Sequence, residues 1–186
     1  MKSLTRGLPV FLPIILVGAL IQALLVVGDP VPTVSWWFSV KAVASALVLI
    51  ITIWLTMGFA AHTNSRFSLR LLLSVTVAVI CGVAAGVLNP ILALVVALVS
   101  LPVLSAAAAG PLRSVARTIR FAPLRAFFGL AWAAVLIIVN VVAALVLGFF
   151  VTGPVAAGTT WLVFGISATS LATYWTSLHR QAHVQQ

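Results

Sequence analysis

Six apolar runs, at residues 8–28, 36–61, 71–88, 91–109, 126–150 and 159–178, make up most of this sequence, and the segments between them are too short to fold alone. The hydrocarbon core of a bilayer is about 30 Å thick, a distance that about 20 helical residues cross. Inside lipid a backbone must satisfy its own N–H and C=O groups, so only helices and closed barrels can span it. These runs lack the alternation of barrel strands. The expected fold is therefore all-α: a polytopic transmembrane helix bundle of about six spans, forming a single integral membrane domain over residues 1–186. Runs three and four are near the lower limit for crossing. If 71–109 were a re-entrant pair, the count would fall to four. Composition points the same way: 63% of residues are hydrophobic and 6% charged, against about 45–50% and 25% in soluble domains.

Charge decides the threading. Lys2, Arg6, Arg66, Arg70, Arg113, Arg117, Arg120, Arg125 and Arg180 fall on one side of the alternating spans, and Lys41 alone falls on the other. Short loops rich in Lys and Arg stay in the cytoplasm. Both termini and the basic loops 62–70 and 110–125 are thus expected inside, in a multi-pass protein of the inner (plasma) membrane. A net charge of +9 does not signal nucleic acid, which needs a basic face on a soluble fold, whereas here the charges only flank apolar runs. The first run is too long for a signal-peptide core and has no small-residue cleavage site after it, so it reads as a retained span.

The densest basic stretch, 110–125, has a pattern of its own. Leu112, Val115 and Ile119 recur at helical spacing, while Arg113, Arg117 and Arg120 follow i, i+4, i+7 and Arg125 comes just after. A short interfacial helix would set the first group in the acyl boundary and the arginines at anionic headgroups on the cytoplasmic side. Pro123 is expected to break it before the next span. A docking surface for a cytoplasmic partner is the other reading.

Within the spans, polar residues are few and patterned. Lys41, Ser45, Thr52 and Thr56 share one face of span two, and Ser170, Thr173 and Ser177 share one face of span six. Asn140 is near the middle of span five and Gln22 in the outer half of span one. Polar groups at such depth are expected to point inward, towards protein or a bound solute. A hydroxyl can instead bond the carbonyl one turn back; an asparagine amide needs more, which makes Asn140 the first candidate for an interior network or a solute contact. Lys41 has one carboxylate to pair with, Asp29, the only acidic residue in the chain. Pro13 and Pro102 fall inside spans one and four, where each frees a carbonyl. Ala78, Gly82 and Gly86 form a four-residue seam of the kind that lets membrane helices approach closely, within the bundle or against another subunit or a second copy.

The absences narrow the function. With one carboxylate there is no acid–base pair and no proton or sodium relay inside a span. Nucleotide-binding glycine patterns are missing. Cys81 stands alone, so no disulfide forms within the chain. His179 and His183 are four apart, with His62 at the same end, but lack the further ligands of a metal site. No cofactor, no metal and no catalysis are expected. Size, six spans and cytoplasmic termini are similar to the substrate-binding subunits of energy-coupling-factor importers. Ala19-Leu20-Ile21-Gln22-Ala23 resembles the small-residue coupling motif of their first span. The resemblance covers topology and these five residues, and implies a solute-binding subunit energised by a partner. Two functions are carried forward: a transport component binding a small or amphipathic solute, and a structural or assembly subunit of a larger membrane complex.

Overall fold

The structure, a computed structural model, describes residues 2–27, 36–61, 68–109, 114–151 and 153–184. These residues are all-helical: α1 (Lys2–Leu25), α2 (Trp36–Ala61), α3 (Leu69–Leu88), α4 (Pro90–Ala109), α5 (Ser114–Phe121), α6 (Pro123–Phe150) and α7 (Pro154–Val184). Five of them, α2, α3, α4, α6 and α7, are long and apolar enough to cross a membrane, and α1 carries a shorter apolar stretch, Val10–Leu25. That is the make-up of a helical membrane protein.

Pro123 separates α5 from the next helix as expected, and two prolines also act as helix starters. Pro123 is the first residue of α6 and Pro154 the first of α7. Proline suits the first turn of a helix because its missing N–H would have no intrahelical partner there. Consequently α6 begins three residues before the expected 126, and α7 starts before 159 and runs beyond 178. Helix α1 and helix α4 run through Pro13 and Pro102 without interruption. Between α3 and α4 there is a single residue, Asn89, whose Oδ1 accepts a hydrogen bond from the N–H of Ile91 at 2.8 Å. Such a tight connection leaves α3 and α4 antiparallel, with Gly86 facing Ala93. At its other end α3 is capped by Ser68, whose hydroxyl accepts from the N–H of Leu71 at 3.2 Å.

Helix α7 is the centre of the bundle. It packs against every other helix except α3, which rests on α2 and α4. Its neighbours meet it in register: Ile15 of α1 lies on Gly165 and Ala23 on Gly158, so α1 and α7 are antiparallel. On α6, Gly129 lies on Tyr174 and Trp175, again antiparallel to α7. Phe11, Ile15, Met57, Leu71, Val75 and Leu104 form the main apolar core between α1, α2, α3 and α4, joined by Ala172 of α7. A smaller core under α6 gathers Ala126, Trp175 and Leu178.

The tightest approaches at glycine lie outside the Ala78, Gly82 and Gly86 seam, of which Ala78 and Gly86 pack within the bundle. A Cβ at Gly165 would sit 2.5 Å from Cγ2 of Ile15, and one at Gly129 would sit 2.6 Å from Cε1 of Tyr174. Gly82, by contrast, has nothing within 4 Å of that position. The signal at Ala78, Gly82 and Gly86 was a true small-residue repeat, but contact depends on which face the neighbours occupy. Gly165→Ala should destabilise the bundle by about 1–3 kcal/mol, the usual cost of overpacking, read as a lower midpoint of thermal unfolding in detergent. Adding Ile15→Ala to the same chain should recover part of the loss, and Gly82→Ala should leave the midpoint unchanged.

Candidate functional site

Of the polar residues singled out in the spans, most are engaged within the bundle. Ser45 donates its hydroxyl to Oε1 of Gln22 at 2.7 Å, and Gln22 Nε2 donates to the backbone carbonyl of Ser45 at 3.0 Å. This pair clamps α1 to α2 around a buried glutamine. Thr52 donates to the carbonyl of Val48 and Thr56 to that of Thr52, both at 2.7 Å. On α7, Ser170 donates to Ile166 at 2.9 Å and Thr173 to Thr169 at 2.8 Å. These hydroxyls satisfy themselves one turn back along their own helices. Lys41 donates to the carbonyl of Val27 at 3.3 Å, just past the end of α1. A cation there meets the negative end of the helix dipole. Asp29 lies outside the described residues.

Asn140 behaves differently. Its Nδ2 donates to the carbonyl of Leu136 at 2.7 Å and to the hydroxyl of Ser167 at 2.9 Å, tying α6 to α7 in mid-span. Its Oδ1 is buried with no hydrogen-bond partner among the described residues, and so is Nε1 of Trp175. Three residues of the Ala19 to Ala23 segment face inward, while Leu20 and Ile21 are exposed. Ala19 is buried, Ala23 touches Gly158 and Gln22 holds Ser45. Ala19, Gln22 and Ala23 are thus used within the bundle, and the outward face of the segment is that of Leu20 and Ile21.

The basic stretch does contain a short helix, α5, but its inner face is centred on a residue outside the apolar set. Thr118 is buried and its Oγ1 lies 2.9 Å from Nδ1 of His179, itself buried in α7. The helix is thus held to the protein, with Arg120 exposed and Ile119 partly exposed. Arg113 and the side chain of Arg117 lie outside the described residues, as do His62, Arg66 and the side chain of His183. His179 therefore points into the bundle. Among the described residues no three His, Cys, Asp or Glu side chains come together.

At the start of α6 the structure builds a feature that the sequence pattern did not single out. Arg125 is exposed, and its Nη1 donates to Oε1 of Gln181 at 2.9 Å. Its carbonyl accepts from the Tyr174 hydroxyl at 2.7 Å. One turn further along, Phe128, Gly129, Ala131, Trp132, Val135 and Tyr174 line an open apolar groove of about 400 Å³ between α6 and α7. Phe128, Trp132 and Arg125 lie at i+3, i+7 and i on one helical face. Arg125 thus lies one turn before the aromatic trough, its carbonyl on Tyr174 and its guanidinium on Gln181. The signals for it were in the sequence: Arg125, Phe128 and Trp132 share a face, and Gly129 has no side chain to keep the helices apart. Nothing in α6 alone, however, placed Tyr174 opposite.

Replacing Gln22 with Leu and Ser45 with Ala, singly and together, should reveal a coupling of about 0.6–1.7 kcal/mol, the range of hydrogen bonds between membrane helices. Thr52→Val and Thr173→Val should be nearly neutral in the same unfolding measurement. Thr118→Val should cost about 1–3 kcal/mol because it removes a partner from a buried imidazole.

Comparison with known protein families, with curated proteins and with solved structures gives no match to this chain.

Proposed function

We propose that the chain is a non-catalytic integral membrane protein of six crossings, with its arginine-rich rim in the cytoplasm, acting as a transport component that binds an amphipathic solute. The observation that carries this is a contrast. Apart from Asn140 Oδ1, the hydroxyls and amides named above are used on their own helices or on neighbouring ones, while the aromatic groove below Arg125 stays open. Such an arrangement suits a ligand with a charged head and an apolar body better than a small polar solute, which would need several convergent polar groups.

The threading rests on charge and on the antiparallel contacts. Arg70, Arg120, Arg125 and Arg180 belong to the end of the bundle where α3 and α6 begin and α7 finishes. Lys41 belongs to the opposite end, beside the last turn of α1. There the exposed rings of Trp36, Trp37 and Phe38 open α2, as aromatic residues do at a membrane–water interface. The chain has one acidic residue in all, too few for paired-carboxylate catalysis or for a relay across the membrane. Energy for transport would come from another subunit.

The second reading, an assembly subunit or homo-oligomer, draws on the outer face of α3. There Gly82 faces open space beside exposed Cys81 and Val83.

Labelling tests the threading. In a Cys81→Ala background, Ala116→Cys should react with a membrane-impermeant maleimide only in inverted vesicles, and Trp36→Cys only in right-side-out ones. The reverse pattern, or both on one side, would overturn it. For the ligand, extraction of protein purified in mild detergent should release an amphipathic molecule at about one copy per chain. Finding none, together with ready crosslinking between chains through Cys81, would favour assembly.

A further inference from the structure

The geometry points to an anionic phospholipid as the occupant of the α6–α7 groove, its headgroup on Arg125 and an acyl chain along Phe128, Trp132 and Val135. This rests on the amphipathic-ligand reading above and names the ligand class. The charge argument comes from the whole chain: ten Lys and Arg residues face a single carboxylate. That carboxylate, Asp29, lies outside the described residues, two positions along the sequence from Val27, whose carbonyl Lys41 holds at the end of the bundle opposite Arg125. Among the described residues no carboxylate neutralises Arg125, whose guanidinium donates to the neutral amide of Gln181. A phosphate supplies the missing charge, and a guanidinium binds phosphate through paired N–H donors.

The apolar half of the site has matching dimensions. The groove on α6 runs from Phe128 to Val135, about 10 Å of helix, and the same exposed face continues to Val139, about 16 Å in all and close to the depth of one leaflet. Phe128, Trp132, Val135 and Val139 all keep large exposed surfaces along this stretch. Gly129 lets α6 approach the Tyr174 and Trp175 rings at the base of the trough. The Tyr174 hydroxyl, bonded to the carbonyl of Arg125, holds the arginine's backbone over the mouth. A bulk lipid could slide past an ordinary helix face. Here a wall on α7, a trough and a cation at one end select orientation and headgroup sign.

The test is lipid retention by the purified full chain, read by native mass spectrometry after exchange into detergent with equimolar phosphatidylglycerol and phosphatidylcholine. Wild type should retain phosphatidylglycerol about fivefold over phosphatidylcholine, the worth of one arginine at an anionic surface. Arg125→Gln should abolish the preference, and Arg125→Lys should keep most of it. Arg70→Gln removes the same charge from α3, which touches neither α6 nor α7, and should change nothing. Ala131→Phe, at an exposed position lining the groove, should lower retention of both lipids. If that variant unfolds, Trp132→Ala takes its place. Equal retention of the two lipids by wild type, or equal loss from Arg70→Gln and Arg125→Gln, overturns the anionic-lipid assignment while leaving an amphipathic ligand in the groove. Retention indifferent to Ala131→Phe and to Trp132→Ala overturns the groove itself.

Discussion

A polar group removed from water must find its partner inside the protein, and in a chain this apolar that requirement decides which helix goes where. Helix α7 is the least apolar of the long helices, yet it touches five of the other six, as only α4 also does. Its Thr173, Thr176 and His179 are buried, and Trp175 is the largest fully buried side chain. Helix α6 is the most apolar and the least covered. For α6 this inverts the rule of a soluble domain, where the most apolar element sits deepest. Lipid solvates α6 at no cost, but it cannot hydrogen-bond the side chains of α7.

The same requirement sorts side chains by reach. Serine and threonine hydroxyls lie close enough to the backbone to bond the carbonyl four residues earlier, so Thr52, Thr56, Ser170 and Thr173 need no neighbour. Amides carry a donor and an acceptor on a longer arm and cannot satisfy both locally. Gln22 and Asn140 therefore become the ties between helices, one joining α1 to α2 and the other α6 to α7. Where two helices touch most closely, the contact is made by glycine: Gly165 under Ile15 and Gly129 under Tyr174. Directional bonds and backbone approach thus alternate along α7 and set its register against both neighbours.

Electrostatics acts at the rim. With a single acidic residue in the chain, the arginines must be balanced from outside the protein. Helix α5 is fastened to α7 by the buried Thr118 and His179 pair, which leaves Arg120 exposed. Arg125 is held from two sides, by Gln181 on its side chain and by Tyr174 on its backbone. An arginine positioned in this way supports the proposed role for the groove beneath it, because a fixed cation discriminates between headgroups where a mobile one only attracts.

Hydropathy and helical spacing sufficed for the all-helical fold and for the approximate reach of its long helices, because a spanning backbone has few ways to satisfy itself in lipid. They also located a short helix inside the arginine stretch and the inward demand of Asn140. Periodicity within one segment cannot say which face meets a neighbour, and so it named the seam of Ala78, Gly82 and Gly86 but not the closer approaches at Gly165 and Gly129. It did not find the pairing of Thr118 with His179, 61 residues apart, or the approach of Tyr174 to Arg125, 49 apart. Composition and period are properties of one helix and can be read along the chain. The groove and the clamps are properties of two helices at a given rotation and offset, which only packing selects.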